Sequence, residues 1–115
     1  MNEAALQSRI QSCVRTQHGT MPLHLVLVRH GESEGNFATA RSKVGDDSLF
    51  TPEFLSRPSS LWRLTTRGMS QALLSGHYIR AQESNFGVWY TSWFIRARET
   101  AGLLDLPGAK WFYSP

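Results

Sequence analysis

The stretch of sequence that decides the fold, residues 23–36, reads LHLVLVRHGESEGN. Its first six residues form a short apolar run, after which the chain turns abruptly polar at Arg29 and His30. The run is too short to cross a membrane and predicts a buried strand of a parallel sheet over residues 23–28. Ligands of open α/β sheets bind just beyond the carboxyl ends of such strands. The sequence therefore places Arg29 and His30 at a candidate binding site.

The composition around this stretch is that of one small domain. With 115 residues, 41% of them hydrophobic, the chain is long enough for a single core and too apolar for disorder. Ten of its 12 basic residues are arginines, which suit phosphate or carboxylate partners. They are spread along the chain, so we expect no nucleic-acid partner. No segment reaches the roughly 18 apolar residues of a membrane span, so we expect no membrane partner.

The amino-terminal segment differs in character from the remainder, residues 21–115. Residues 1–20 are interpreted as a leader or an appended helix, because apolar residues recur every fourth position from Leu6 to Val14. The lone cysteine, Cys13, excludes an internal disulfide and fits a reducing compartment, so we expect a cytoplasmic protein. The arginines of this segment and its single acid leave a mitochondrial transit peptide as the alternative.

Helical and strand patterns alternate after the first strand. The predicted elements are a helix at 33–40, a loop at 41–63, a helix at 64–82, a strand at 88–91, a helix at 94–104 and a strand at 110–113. This order predicts an α/β fold, a three-layer α/β/α arrangement with a mostly parallel sheet that is incomplete. The open sheet edge favours self-association. The face of the 64–82 helix that includes Leu73 is expected to point inward.

The long loop at 41–63 is itself a candidate functional element. A connection of this length without regular structure is usually functional or disordered. Beside a ligand site it would form a lid that carries Phe50, Phe54 and Trp62. In a different interpretation, that of a non-enzymatic interaction module, Trp62, Trp111 and Phe112 form an exposed partner surface.

His30 and two arginines suggest phosphate chemistry. A neutral imidazole attacks phosphorus as a nucleophile, and the positive charge of Arg29 next to it disfavours the protonated ring. Arg96 follows the second predicted strand, whose carboxyl end faces the same crevice, and guanidinium groups stabilise a transferring phosphoryl group. On spacing alone, Arg96 is equally well a surface arginine. No cluster has metal-ligand spacing, so no metal site is predicted.

Three motifs occur in order over residues 23–104. They read LVRHGESEGN at 27–36, LTxxGxxQA at 64–72 and TSxxxRAxxT at 91–100. Together they resemble the histidine phosphatase superfamily, the phosphoglycerate-mutase-like fold. The resemblance implies that His30 accepts a phosphoryl group, that Arg29 and Arg96 clamp it, and that Asn36 contacts phosphate or substrate, without a metal or another cofactor. Other matched residues complete the signature or place the second helix: Gly31, Glu32, Ser33, Thr65, Gly68 and Gln71.

The chain departs from the family pattern in two respects. The family completes its pocket with a second histidine and a proton-donating acid from later in the chain, and neither has a match here. The segment before the second motif also lacks the short Gly-Trp-containing stretch of the mutase branch. The expected function is therefore hydrolysis of a phosphorylated small molecule or phosphoprotein through phosphohistidine, with a phosphomutase less favoured. The alternative is a truncated or degenerate relative that binds phosphate-like anions without turnover.

Overall fold

A computed structural model describes residues 24–82 and 85–115. The elements in chain order are α1 (Glu34–Lys43), α2 (Pro52–Ser56), a 3₁₀ helix (Ser59–Leu61), α3 (Thr66–Ala81), β1 (Trp89–Ser92), α4 (Ile95–Leu103) and β2 (Trp111–Ser114). The predicted helix around residues 6–14 lies outside the described residues. None of the described helices is both long and apolar enough to cross a membrane.

The described sheet consists of the two strands that flank α4. β1 and β2 are parallel, with Trp89 opposite Trp111 and Ser92 opposite Ser114. Helix α4 connects them and packs against both β1 and α3. Helices together with a parallel strand pair agree with the predicted α/β class, and the predicted strands at 88–91 and 110–113 are each confirmed with a shift of one residue.

The predicted buried strand at residues 23–28 is wrong for the part that the structure describes. Residues 24–28 have no regular secondary structure, and Leu27 is 74% exposed. A cleft of about 340 Å³ lies between residues 26–30 and residues 90–92 of β1. The backbone of this segment makes no ladder hydrogen bonds with β1, and Val26, Leu27 and Val28 are all exposed.

Two of the predicted helices begin one or two residues after their predicted starts, each behind a side-chain cap. Ser33 and Asn36 form a reciprocal capping box at the start of α1. The Thr65 side chain accepts a hydrogen bond from the Gly68 backbone N–H at the start of α3. The third helix, α4, begins after Phe94, which provides no side-chain cap. Ser92 accepts from the Phe94 N–H instead, two residues before the helix.

Helices α3 and α4 contact each other through small residues. Ala72 and Gly76 of α3 are buried, as is Ala101 of α4. A Cβ atom added to Gly76 would lie 2.1 Å from the backbone oxygen of Leu104. Because this contact is so close and narrow, the larger apolar side chains of α3 lie outside it. The expectation that Leu73 points inward is wrong, since it is 51% exposed.

The long loop is ordered and holds its aromatic side chains inward. Phe54 is buried, and its ring stacks on Trp62 with centroids 4.7 Å apart. Phe50 meets the edge of Phe54, and Trp62 covers Gly35 of α1. These rings form a small local core in which Trp62 is half-buried, whereas Phe112 in β2 is 59% exposed.

Candidate active site

His30 and Arg96, which are 66 residues apart, meet at the end of β1. Nε of Arg96 lies 3.3 Å from Nε2 of His30. Arg96 occupies the first turn of α4, directly after β1. The strand-to-helix turn therefore delivers the guanidinium to the imidazole, although the segment before His30 is not the strand that the sequence predicted.

The two hydrogen bonds of the imidazole define its tautomer. Nδ1 of His30 lies 2.6 Å from the Gly31 carbonyl oxygen, which only accepts, so Nδ1 carries the proton. The guanidinium Nε–H of Arg96 only donates, so Nε2 of His30 must present its lone pair. Both contacts require the same neutral form. The ring nitrogen that faces Arg96 is therefore the nucleophilic one.

The backbone beside His30 is fixed by direct contact with α3. A Cβ atom on Gly31 would lie 2.2 Å from the Gly68 carbonyl oxygen, and one on Gly68 would lie 2.0 Å from the Glu32 oxygen. The Thr65 N–H donates to the same Glu32 oxygen over 2.9 Å. No side chain fits between these two backbones. The first two sequence motifs therefore meet here, and Gly68 has the structural role expected of it.

Arg96 is held by two further groups. Its Nη1 donates to the Ser59 carbonyl oxygen over 2.7 Å, and its guanidinium lies over the Phe94 ring at 4.7 Å from the centroid. Sequence reasoning missed Ser59. Its contribution is a backbone carbonyl, which every residue type offers, so no residue pattern could have indicated it.

Thr100 lies under the pair and is 4% exposed. Its Oγ1 accepts from the Gly31 N–H over 3.2 Å and donates to the Arg96 carbonyl oxygen over 2.7 Å. Thr100 is the last residue of the third motif, and its hydroxyl group was the one sequence feature that indicated a hydrogen-bonding role. Without the fold, that signal could not be connected to Gly31.

Arg29 directly precedes His30 in the chain. Its side chain is exposed and lines the same 340 Å³ cleft as His30. Within residues 24–82 and 85–115, it makes no hydrogen bond or ion pair. Its predicted role in clamping a phosphoryl group stays a prediction.

Asn36 has a structural task in this arrangement. Its Oδ1 accepts from the Ser33 N–H over 3.0 Å and from the Ser33 hydroxyl over 2.9 Å, and these bonds close the cap of α1. The contact with phosphate or substrate that the resemblance implies is not tested by these bonds and stays a prediction.

Ion pairs connect the long loop to α1 and α4. Glu34 accepts from Arg57 and from the Arg63 N–H, each over 3.0 Å. Burial raises the pKa of Glu34, but these hydrogen bonds and charges outweigh it, and the pKa is lowered. Glu99 binds Arg63 over 2.8 Å and accepts from the Leu64 N–H, and the bond to Glu99 raises the pKa of Arg63. Glu99 thus holds the loop in place.

The part of the chain that the structure describes contains no group of three or more His, Cys, Asp or Glu side chains that could hold a metal ion.

Comparison with known proteins identifies the family. A family model of the histidine phosphatase superfamily (branch 1) matches residues 25–110. The chain is 41% identical over 83 residues to a 2,3-bisphosphoglycerate-dependent phosphoglycerate mutase of Parvibaculum lavamentivorans, and 37% identical over 83 residues to that of Xanthobacter autotrophicus. Each match covers 70% of this chain and 31% of the relative, so the chain spans about a third of the length of these relatives. No solved structure matches the chain significantly. The chain belongs to the histidine phosphatase superfamily.

Proposed function

We propose that this protein hydrolyses a phosphate ester through a phosphohistidine formed at His30. One observation carries the proposal: Nε2 of His30 presents its lone pair, because Nδ1 donates to the Gly31 carbonyl, and the Arg96 guanidinium lies 3.3 Å away. A nucleophile beside a fixed positive charge is the arrangement that phosphoryl transfer requires. The substrate is a phosphorylated small molecule or a phosphoprotein.

The reaction has two displacements at phosphorus. In the first, the Nε2 lone pair of His30 forms a bond to phosphorus while the bond from phosphorus to the ester oxygen breaks. In the second, water attacks the phosphohistidine, the P–N bond breaks, and phosphate is released. Arg96 and Arg29 stabilise the negative charge on the transferring group in both steps. The departing ester oxygen needs a proton, except where it is a good leaving group such as an aryl oxide.

This requirement selects the first experiment. We would mix the full gene product with an aryl phosphate and look for an acid-labile phosphohistidine by rapid quench and peptide mass spectrometry. The proposal expects the label on His30 and its loss in His30→Ala. His77→Ala is the matched control, because His77 is exposed on α3, whereas the hydrogen bond of Arg96 goes to His30. A label that survives in His30→Ala, or turnover that this variant leaves unchanged, would contradict the proposal.

A phosphomutase is the second candidate. The relatives that match carry the name 2,3-bisphosphoglycerate-dependent phosphoglycerate mutase, at 37–41% identity. In a mutase the phosphohistidine passes its phosphoryl group to a second hydroxyl group instead of water. We would supply phosphoglycerate with a trace of 2,3-bisphosphoglycerate and measure both isomerisation and released phosphate. Isomerisation without phosphate release would favour the mutase over the hydrolase.

A binding measurement distinguishes these two enzymes from the remaining alternative, a relative that binds phosphate-like anions without turnover. Calorimetry with vanadate, an analogue of the transferring phosphoryl group, reports whether the site binds the anion. Binding that Arg96→Ala abolishes, together with no phosphohistidine and no product, would show an anion-binding relative that lacks catalysis.

A further inference from the structure

We infer that Thr100 is a positioning residue that fixes the imidazole of His30 relative to the guanidinium of Arg96. The inference rests on the proposed function. Four hydrogen bonds form a closed ring through the site. The Thr100 hydroxyl donates to the Arg96 carbonyl oxygen and accepts from the Gly31 N–H. The Gly31 carbonyl accepts from Nδ1 of His30, and Nε2 of His30 accepts from Arg96 Nε–H.

The ring begins and ends on one residue. Arg96 takes part twice, through its backbone carbonyl oxygen and through its side chain. The first turn of α4 is therefore bonded to the His30–Gly31 segment at two points, through the Thr100 hydroxyl and through the guanidinium. Thr100 makes the one link in this ring between that segment and the backbone of α4. Without it, the imidazole and the guanidinium would be joined by their side chains alone.

The Thr100 hydroxyl uses its only proton and one of its two acceptor positions in this ring. It has one proton, which goes to the Arg96 carbonyl over 2.7 Å, and an acceptor position that takes the Gly31 N–H over 3.2 Å. The side chain is 4% exposed, so water does not readily replace it. The carbonyl of the same residue, Gly31, accepts the bond from Nδ1 of His30, so a shift of the Gly31 backbone would disturb the hydrogen bond that selects which imidazole nitrogen carries the proton.

This assignment separates Thr100 from a residue that only fills space. Valine has the same shape as threonine and makes neither hydrogen bond, whereas serine keeps the hydroxyl and loses the methyl group. If packing is what matters, Thr100→Val is harmless and Thr100→Ser is damaging. If the ring is what matters, the order is reversed.

The test compares Thr100→Val and Thr100→Ser in the full gene product by two readouts. The first is the ¹⁵N NMR pattern of the His30 imidazole, identified by its absence in His30→Gln. We expect the Nδ1–H tautomer in the wild type and in Thr100→Ser, and a mixture of tautomers in Thr100→Val. The second is the single-turnover rate of phosphohistidine formation, which we expect to fall roughly 10- to 100-fold in Thr100→Val and to be largely restored in Thr100→Ser, because misplacement of reacting groups has costs of this order.

Thr39→Val is the matched control, because Thr39 is exposed on α1 and measures the effect of valine in a helix on its own. A Thr100→Val variant that keeps both the wild-type tautomer and the wild-type rate would overturn the inference. Equal losses in the valine and serine variants would also overturn it. A wild type that forms no phosphohistidine would contradict the proposed function, and the tautomer comparison would still decide the role of Thr100. Thermal melts of all variants identify any that fail to fold. If Thr100→Val fails to fold, the inference is tested by Thr100→Ser, which must keep the wild-type tautomer.

Discussion

The Nε–H of Arg96 points at Nε2 of His30 across 3.3 Å. The guanidinium thus faces the single imidazole nitrogen that is able to attack phosphorus. A phosphoryl group bound between them would take over the hydrogen bond that Arg96 now gives to His30. Under the proposed function, His30 would supply the attacking atom and Arg96 the compensating charge.

Removing the Arg96 guanidinium is expected to slow phosphohistidine formation. We expect Arg96→Ala to lower the single-turnover rate about 100- to 1000-fold, as for the loss of one preorganised donor to a developing negative charge. Arg98→Ala is the control, because Arg98 lies two residues on, over the rings of Trp93 and Tyr113. Rapid-quench kinetics with an aryl phosphate would measure both. Equal losses in the two variants would rule out a specific role for Arg96.

The contact between the His30 segment and α3 predicts a steric effect at Gly68. A Cβ atom there would lie 2.0 Å from the Glu32 carbonyl oxygen, so Gly68→Ala must push two backbones apart and should cost about 2 kcal/mol of unfolding free energy. Gly102→Ala in α4 meets nothing within 4 Å and should stabilise by about 0.5–1 kcal/mol. Urea unfolding measures both. Effects of the same sign would argue against this contact.

The aromatic stack of the long loop predicts unequal effects of two substitutions at Trp62. Trp62→Ala removes a ring that stacks on Phe54 and covers Gly35, and should cost about 3 kcal/mol. Trp62→Phe keeps an aromatic ring at this place and should cost less. The buried indole N–H has no partner among the described residues, so no hydrogen bond is lost. Thermal unfolding compares the two variants, with Trp93→Ala, at an exposed site, as the control.

The carboxylate of Asp46 predicts a defined pH dependence of stability. Hydrogen bonds from the Ser48 hydroxyl and N–H, and then from Arg41, lower the pKa of Asp46 from 3.8 to about 2. Because the folded value is below the unfolded one, this contribution to stability is complete above the unfolded pKa and is lost as the pH falls through the folded pKa.

We therefore expect Asp46→Asn to be less stable than the wild type above about pH 4 and to converge with it as the pH falls towards 2. Urea midpoints at several pH values measure this difference. Glu53→Gln, at an exposed carboxylate in α2, is the control and should follow the wild type throughout. A difference for Asp46→Asn that is independent of pH would contradict this assignment.

The sequence was sufficient where local chemistry determines structure. Ser33 and Thr65 mark the starts of α1 and α3, because a capping side chain acts on backbone groups within three residues of it. The contact between His30 and Arg96 was expected from two neighbouring parallel strands, but the structure forms it without a strand at residues 24–28, through the turn from β1 into α4.

The rest depended on non-local groups. An apolar run such as residues 23–28 becomes a strand only if a neighbouring backbone pairs with it, and β1 pairs with β2 but not with the described residues 24–28. The exposure of Leu73 follows from the close approach of α3 to α4 at Gly76, which no periodicity reveals. The Ser59 carbonyl was invisible in the sequence for a similar reason, because it is a backbone atom brought to Arg96 by the path of the loop.

That bond from Arg96 to Ser59 has a practical consequence for redesign of this protein. No side-chain replacement at position 59 deletes the acceptor, so alanine scanning across the segment would overlook it. Replacing the long loop at 41–63 with one of another length, as an engineer seeking altered selectivity would do, moves that oxygen. The position of the Arg96 guanidinium would then change as well. Any such graft has to deliver a main-chain oxygen to the same point.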